Sequence, residues 1–317
     1  MAKNIIFDTD LGGDCDDVVA LDLLLSAHKA GECRLLGVCS SFRCLSAPGC
    51  IHEILRQHGC ADIPVAHIGD VSQALPHEDL YAPAVVKKFG RADTADYATT
   101  PEAVRLLRQL LAAHDHVTIV VTGPFTNISG LMASEADEFS PLNGMELMRA
   151  AVDELVLTGC SFCHENGRNP EPDFILEDGT LKPICEWNVY CDIPAARHIL
   201  CSCPVPVACC PIELGYNILS GGEMCAHGRG ETPDSLCMLV HGAGETGQHS
   251  WDPIAALYAL CGTRPRFYRT VKGRIILDGD GVAHFDSQHG GGHVIIHRAM
   301  SADALGEDIN GRIRRLL

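Results

Sequence analysis

Basic residues are scarce. The 317-residue chain carries 24 Lys and Arg against 41 Asp and Glu, a formal net charge of −17. A nucleic-acid binder needs a basic face to displace counterions from phosphates, and docking on an anionic bilayer needs basic clusters. Neither partner is expected. No apolar run reaches the roughly 18 residues of a membrane-spanning helix. Met1-Ala2-Lys3-Asn4 leads into a short apolar strand and an aspartate cluster instead of an export signal, so the expected compartment is the cytoplasm. Internal repeats, low-complexity segments and dividing linkers are absent, and residues 1–317 are expected to form one domain. No Walker loop and no Gly-x-Ser-x-Gly elbow is present. Gly290-Gly291-Gly292 lacks the spacing of a dinucleotide fingerprint.

What is plentiful is apolar sequence, at 46%, and cysteine, with 17 residues. A chain of this length builds its own core, so the cysteines read as buried reduced thiols, not a disulfide framework. Cys160-x-x-Cys163 with His164, Cys201-x-Cys203 and Cys209-Cys210 lack a second Cys-x-x-Cys at zinc-finger spacing. His284, His289, His293 and His297 crowd the C-terminal region and read as scattered surface residues.

Strand and helix patterns alternate. Strands are predicted at Asn4–Asp8, Arg34–Ser40, Ile63–His67, Val117–Thr122, Glu154–Thr158 and Val205–Cys209. Helices are predicted at Val18–Ala27, Cys50–His58, Pro101–His114, Ile193–Leu200 and Pro253–Cys261, with Pro101 in a first turn. This alternation predicts an α/β fold with a mainly parallel central sheet flanked by helices. The tail departs from it. Phe267–Leu277 and Gly281–Phe285 flank the turn Asp278-Gly279-Asp280-Gly281, a strand follows over Gly290–His297, and Ala302–Leu316 closes the chain as a helix. Glu165–Lys182 and Gly221–Pro233 read as loops.

The most informative segment is Asp8-Thr9-Asp10-Leu11-Gly12-Gly13-Asp14-Cys15-Asp16-Asp17. Five carboxylates follow the first strand, where open α/β sheets bind ligands. Two carboxylates about 4 Å apart repel by roughly 4 kcal/mol at an effective dielectric near 20. A divalent cation removes that cost, and oxygen donors suit Ca²⁺ or Mg²⁺. A capped acidic loop explains one or two of the aspartates. An EF-hand is excluded, because its twelfth position counted from Asp8 is Val19 instead of Glu. A phosphohydrolase of the haloacid-dehalogenase type, with Asp8 or Asp10 as nucleophile, shares the Asp-x-Asp strand end but has Thr or Val where this chain has Gly12.

Asp8-Thr9-Asp10-Leu11-Gly12 followed by Asp16-Asp17 resembles the signature of the inosine–uridine-type nucleoside N-ribohydrolases. Three further blocks fall in order: Gly123-Pro124-Phe125-Thr126-Asn127, Glu186-Trp187-Asn188 and Trp251-Asp252-Pro253. The resemblance covers roughly residues 4 to 315. Leu11 stands for the usual Pro, and two extra residues, with Asp14 inserted, precede the Asp pair, as in a divergent branch. The resemblance implies hydrolysis of the N-glycosidic bond of ribonucleosides. It implies Ca²⁺ held by Asp10, Asp17, Asp252 and the Thr126 carbonyl. Asp10 would also be the general base, and Asp16, Glu186 and Asn188 the ribose contacts. A homodimer or homotetramer is implied as well. Trp251 stands where purine-accepting members carry a His, so it is a candidate for stacking on the base. Asp14 and His249 are further candidates. A metal-dependent riboside binder without turnover is the alternative on the same fold.

Each block also has a plainer local reading. Gly123-Pro124 makes a turn, with Thr126 as a helix cap. Glu186 and Asn188 alternate as in an extended segment, and Asp252 caps a helix that has Pro253 first.

Overall fold

In the computed structural model, residues 2–69, 80–166 and 175–317 are described. Twelve strands are present among them. They are β1 (Lys3–Thr9), β2 (Cys33–Ser40), β3 (Val65–Ala66), β4 (Val117–Val121), β5 (Val152–Thr158), β6 (Val207–Cys210), β7 (Leu219–Ser220), β8 (Gln248–His249), β9 (Phe267–Arg269), β10 (Arg274–Leu277), β11 (Ala283–Asp286) and β12 (His293–Arg298). Eight of them form the central sheet in the order β3-β2-β1-β4-β5-β6-β12-β9. Every pairing in it is parallel except that of β12 with the edge strand β9.

The apolar runs that predict these strands are buried on both faces. Side chains alternate across a strand. Ile5 and Phe7 of β1, Val120 of β4 and Val156 of β5 therefore enter one core. Ile6, Ile119, Val121, Leu155 and Leu157 enter the other. Helices Asp16–Lys29, Ala47–Gln57, Trp251–Cys261 and Ala302–Ile313 cover the first face. Helices Ala103–Ala113, Thr126–Ala133, Gly144–Ala151 and Ile193–Ser202 cover the second. None of the described helices is long and apolar enough to cross a membrane.

Strand order reverses at β1. The chain runs outward through β2 and β3, then returns to lay β4 on the other side of β1. Such a reversal leaves a crevice at the carboxyl ends of the two strands, because the connections that follow them diverge to opposite sides. Asp8 and Thr9 end β1, and Thr122 and Gly123 follow β4.

Several local readings need correction. Pro101 lies before its helix, which runs Ala103–Ala113 with Glu102 as N-cap. The Pro101 carbonyl accepts from His67 N at 3.1 Å, so the residue extends the sheet edge before the helix begins. Ile63–His67 contributes only the two-residue β3. Phe267–Leu277 is not continuous: β9 joins the main sheet, and β10 pairs with β11 in a hairpin around Asp278–Gly281. Gly221–Pro233 contains a helix over Gly222–Gly228. Its glycines serve packing, since a Cβ on Gly222 would overlap the Glu245 carbonyl. Part of the expected loop Glu165–Lys182 lies outside the described residues; Cys163–Asn166 is a short helix, and Ile175 bridges Leu181.

None of the 17 cysteines is in a disulfide, and only Cys201 is exposed. The C-terminal histidines go separate ways. His284 meets Glu165, His289 meets Asp286, His293 Nδ1 accepts from Ile275 N, and His297 stacks on Tyr268.

Candidate active site

The loop after β1 turns within a few residues, and glycine makes that possible. Gly12 has φ +147°, and a Cβ there would come 2.9 Å from Cys44 Sγ. Its N–H donates to the Tyr81 hydroxyl at 2.9 Å, which itself donates to the Asp14 carbonyl at 2.7 Å. The chain enters helix Asp16–Lys29 directly afterwards, with Asp16 and Asp17 in its first turn. The helix dipole favours negative charge there, but by roughly 0.3–1 kcal/mol per group, too little to offset several buried carboxylates.

Asp10, Asp17 and Asp252 are buried, and one carboxylate oxygen from each lies within 4.8 Å of the others. Asp17 Oδ1 accepts from the hydroxyls of Thr9 and, at 3.1 Å, Thr122. Asp252 comes from the far end of the chain, in the first turn of helix Trp251–Cys261. It is not the N-cap; Ser250 holds that position. Its backbone N–H donates to Asp16 Oδ2 at 2.9 Å, tying the two helix starts together.

Burial pushes Asp10 well up from the usual carboxylate range, and the charges of Asp17 and Asp16 add to the shift. Asp16 and Asp252 are raised by burial and by the neighbouring aspartates. Burial pushes Asp17 to about 6, with the Thr9 hydrogen bond working against it. Mutual repulsion of this kind is what a bound cation relieves.

A cavity of about 700 Å³ opens over this cluster. That lies inside the roughly 300–1,000 Å³ span of small-molecule sites. Its wall contains Asp10, Asp14, Asp16, Asp17, Asp252 and Glu186, and among the described residues it has no Lys, Arg or His. The apolar side of the wall includes Ile184, Trp187, Tyr190, Ile212 and Trp251. Three hard oxygen donors, drawn together with no cationic side chain beside them among the described residues, fit a divalent cation.

Glu186 and Asn188 reach the cavity through a short helix, Trp187–Cys191, not the extended segment that their alternation suggests. Glu186 is its N-cap and accepts from Asn188 N, Val189 N and Cys160 N at 3.1 to 3.2 Å. Asn188 Nδ2 donates to the carbonyls of Thr122 and Thr158, at 3.0 and 3.1 Å. Those two bonds fix the amide and leave its Oδ1 as an acceptor.

The structure thus brings Asp10, Asp14, Asp16, Asp17, Glu186, Asn188, Trp251 and Asp252 to one cavity. Thr126 is not in the wall. It opens helix Thr126–Ala133 behind the N-cap Phe125, and its hydroxyl donates to Asp192 at 2.6 Å. His249 is not in the wall either: its Nδ1 accepts from Asn217 N, and its ring lies between Tyr216 and Trp251. Asp14 Oδ1 accepts from Gln248 Nε2 at 2.9 Å and faces His241 Nε2 at 3.3 Å. Asp8 is fully buried, receives Asn127 Nδ2 at 2.8 Å and does not line the cavity. Thr122 and Thr158 are wall residues that motif reading misses. Their signal is position, since each ends a predicted strand at the carboxyl edge of the sheet.

Glu213, next to the wall residue Ile212, offers a pH test of the surroundings. Its Oε1 accepts from Phe162 N at 2.9 Å, and burial pushes its carboxyl up to about 7. The folded state then keeps a proton that the unfolded chain releases near the ordinary value of 4.5. Stability contributed by that proton is lost as pH rises from the unfolded toward the folded value. Between about pH 5.5 and about pH 8, urea unfolding should show wild type losing roughly 2 kcal/mol more than Glu213→Gln. Parallel pH dependence in the two proteins would contradict the shift.

The fold and this site define an α/β protein with a buried acidic cluster at a strand-order reversal. A profile of the inosine-uridine preferring nucleoside hydrolases matches residues 5–304, and the chain belongs to that family. A pyrimidine-specific ribonucleoside hydrolase of Photobacterium profundum is 30% identical over 229 residues, 68% of this chain and 62% of that protein. One from Shewanella sp. strain ANA-3 is 29% identical over 225 residues, 68% of this chain and 61% of that protein. The matches therefore span less than two thirds of these curated relatives. The inosine-uridine preferring nucleoside hydrolase of Bacillus anthracis superposes with a TM-score of 0.70 at 19% identity, covering 99% of this chain and 100% of the other. The purine-preferring ribonucleoside hydrolase of Gardnerella vaginalis gives 0.69 at 15% identity, with 99% of each chain covered. These two likenesses establish a shared fold.

Proposed function

We propose that the protein hydrolyses the N-glycosidic bond of ribonucleosides, releasing free base and ribose, with Ca²⁺ at the acidic cluster. The observation that carries this is the convergence of Asp10, Asp17 and Asp252 under a cavity that also holds Asp16, Glu186 and Asn188. Asp10, Asp17 and Asp252 would hold the ion; the Thr126 carbonyl, one helix entry away from the wall, is the least supported of the four donors suggested by sequence. When bound, Ca²⁺ supplies positive charge that offsets the buried carboxylates and lowers the pKa of water.

The remaining work falls to the chain. Asp16 Oδ1, the Glu186 carboxylate and Asn188 Oδ1 accept hydrogen bonds from the ribose hydroxyls and orient the sugar. Asp10 takes the proton from the attacking water. Positive charge develops on the ribosyl ring as the bond to the base breaks, and the carboxylate-rich wall stabilises it. Trp251 faces the cavity where it can stack on the base, with Tyr190 and Trp187 farther out, 54% and 50% exposed. A phosphohydrolase fits less well. Asp8 is outside the wall, and among the described residues no cationic side chain lines the cavity to receive a phosphate.

The test is a panel of purine and pyrimidine ribonucleosides, assayed for free base and ribose, with ribonucleotides assayed for phosphate. Equal amounts of base and ribose support the proposal. Binding by calorimetry without either product would favour the riboside-binder reading, and phosphate release alone would favour a phosphohydrolase. The ion itself has a separate signature. At a hundredfold its dissociation constant, Ca²⁺ should stabilise wild type by about 2.7 kcal/mol, read as a raised Tm. Asp17→Asn combined with Asp252→Asn should abolish that rise.

A further inference from the structure

A second convergence of potential ligands lies away from the cavity. Asp22 is in the middle of helix Asp16–Lys29, His58 is the C-cap of helix Ala47–Gln57, and Asp234 is in the first turn of helix Pro233–His241. The three side chains are buried, and their ligand atoms lie within 4.8 Å of one another. His58 Nε2 is 3.4 Å from Asp22 Oδ1 and 3.5 Å from Asp234 Oδ2. Charge-assisted N–H···O bonds are shorter, about 2.7–2.9 Å. Neither oxygen of Asp22, nor His58 Nε2, makes a hydrogen bond of ordinary geometry; they meet as long ion pairs. Buried polar atoms without such bonds are uncommon and call for an explanation, an ion being one.

We propose that Asp22, His58 and Asp234 form a structural site for a divalent transition-metal ion, best suited to Zn²⁺, that clamps three helices together. The spacing carries the argument. An ion with bonds of about 2.0–2.2 Å in tetrahedral geometry sets its ligand atoms about 3.3–3.5 Å apart. That is the observed separation of His58 Nε2 from both carboxylates. The imidazole donor and short spacing disfavour Ca²⁺, which takes six or more oxygens at about 2.3–2.6 Å.

Charge leads to the same ion. Among the described residues, no Lys or Arg pairs with Asp22 or Asp234. With both carboxylates ionised, a protonated His58 leaves one buried negative charge, whereas a divalent ion with neutral imidazole leaves none; without the ion, burial pushes Asp22 up to about 7. Asp234 is already oriented for the role. Its Oδ2 accepts from Gln57 Nε2 at 2.8 Å, and its Oδ1 accepts from Thr232 Oγ1 and Ser235 N, both at 2.5 Å. Such outer bonds hold ligating carboxylates in place in metal sites. Without the ion, burial works to lower the imidazole pKa, but the two carboxylates outweigh it and hold His58 up at about 9. Binding therefore releases a proton and weakens as pH falls.

The experiment separates this site from the cavity cluster. The full chain carrying Asp10→Asn and Asp252→Asn is stripped with a chelator, loaded with Zn²⁺, gel-filtered and assayed for metal by mass spectrometry. One equivalent per chain should remain. Adding Asp22→Asn or His58→Gln should weaken retention by about 10–100-fold or more. Loss of all zinc from the cavity double variant, or equal retention after either added change, would overturn the proposal. Should the added changes prevent folding, ¹⁵N-histidine NMR of wild type decides. Zn²⁺ should convert His58 from imidazolium to metal-bound neutral imidazole; an imidazolium signal indifferent to Zn²⁺ would overturn the site. Neither outcome bears on nucleoside hydrolysis, which the panel above tests by its products.

Discussion

Asp10→Asn should lower kcat for ribose release by roughly 10²–10⁴-fold, the usual weight of a positioned acid–base group. The argument rests on where the carboxylate sits. Asp10 lies at the carboxyl end of β1, beside the reversal in strand order, and it faces the cavity with Asp16 and Asp17. An amide keeps its size but cannot take a proton from water. Because Asp10 is also one of the three carboxylates proposed to hold the ion, Ca²⁺ affinity must be measured alongside. A fall in kcat at saturating Ca²⁺, with KM for the nucleoside little changed, isolates the proton-transfer role. Turnover equal to wild type under those conditions would remove Asp10 from the chemistry.

Gly123→Val is expected to damage the site from behind. Gly123 packs against the loop after β1, and a Cβ there would overlap Ser41 Oγ and come 2.8 Å from both Asp10 Cβ and Asp10 N. Those neighbours include the backbone directly after β1, so they cannot step aside cheaply. Overpacking of this sort costs about 1–3 kcal/mol. It would also push Asp10 out of register with Asp17 and Asp252. Thermal denaturation should show the stability loss, and ribose release should fall further than stability alone explains. A variant as stable and as active as wild type would show that the β1 and β4 loops are not packed as tightly as this structure has them.

Much of the fold is legible in the sequence because parallel strands covered on both faces must be apolar throughout. Ile5–Phe7 and Val117–Val121 are of this kind, and both are strands of the central sheet. Strand order is not legible, because nothing local in Cys33–Ser40 says that it lies on the opposite side of β1 from Val117–Val121. The acidic segment Asp8–Asp17 is legible as chemistry, since no local structural need calls for five carboxylates. Asp252 illustrates the limit. Before Pro253 it reads as a helix cap, whereas its carboxylate joins residues more than two hundred positions away. Thr126 and Thr122 show the same limit at shorter range. One carries the motif, and the other stands at the strand end where the cavity opens. Asp22, His58 and Asp234 carry no motif, and only the packing of their three helices brings them together.

Whether the buried acidic cluster works as an ion-dependent hydrolytic site is decided by one assay. Wild-type protein is stripped of metal, divided, and assayed for ribose release from uridine and inosine with and without added Ca²⁺. Negligible release is expected from the stripped protein, with full recovery on adding Ca²⁺. Equal release with and without the ion, or none from folded, Ca²⁺-loaded protein, would contradict an ion-dependent hydrolytic site.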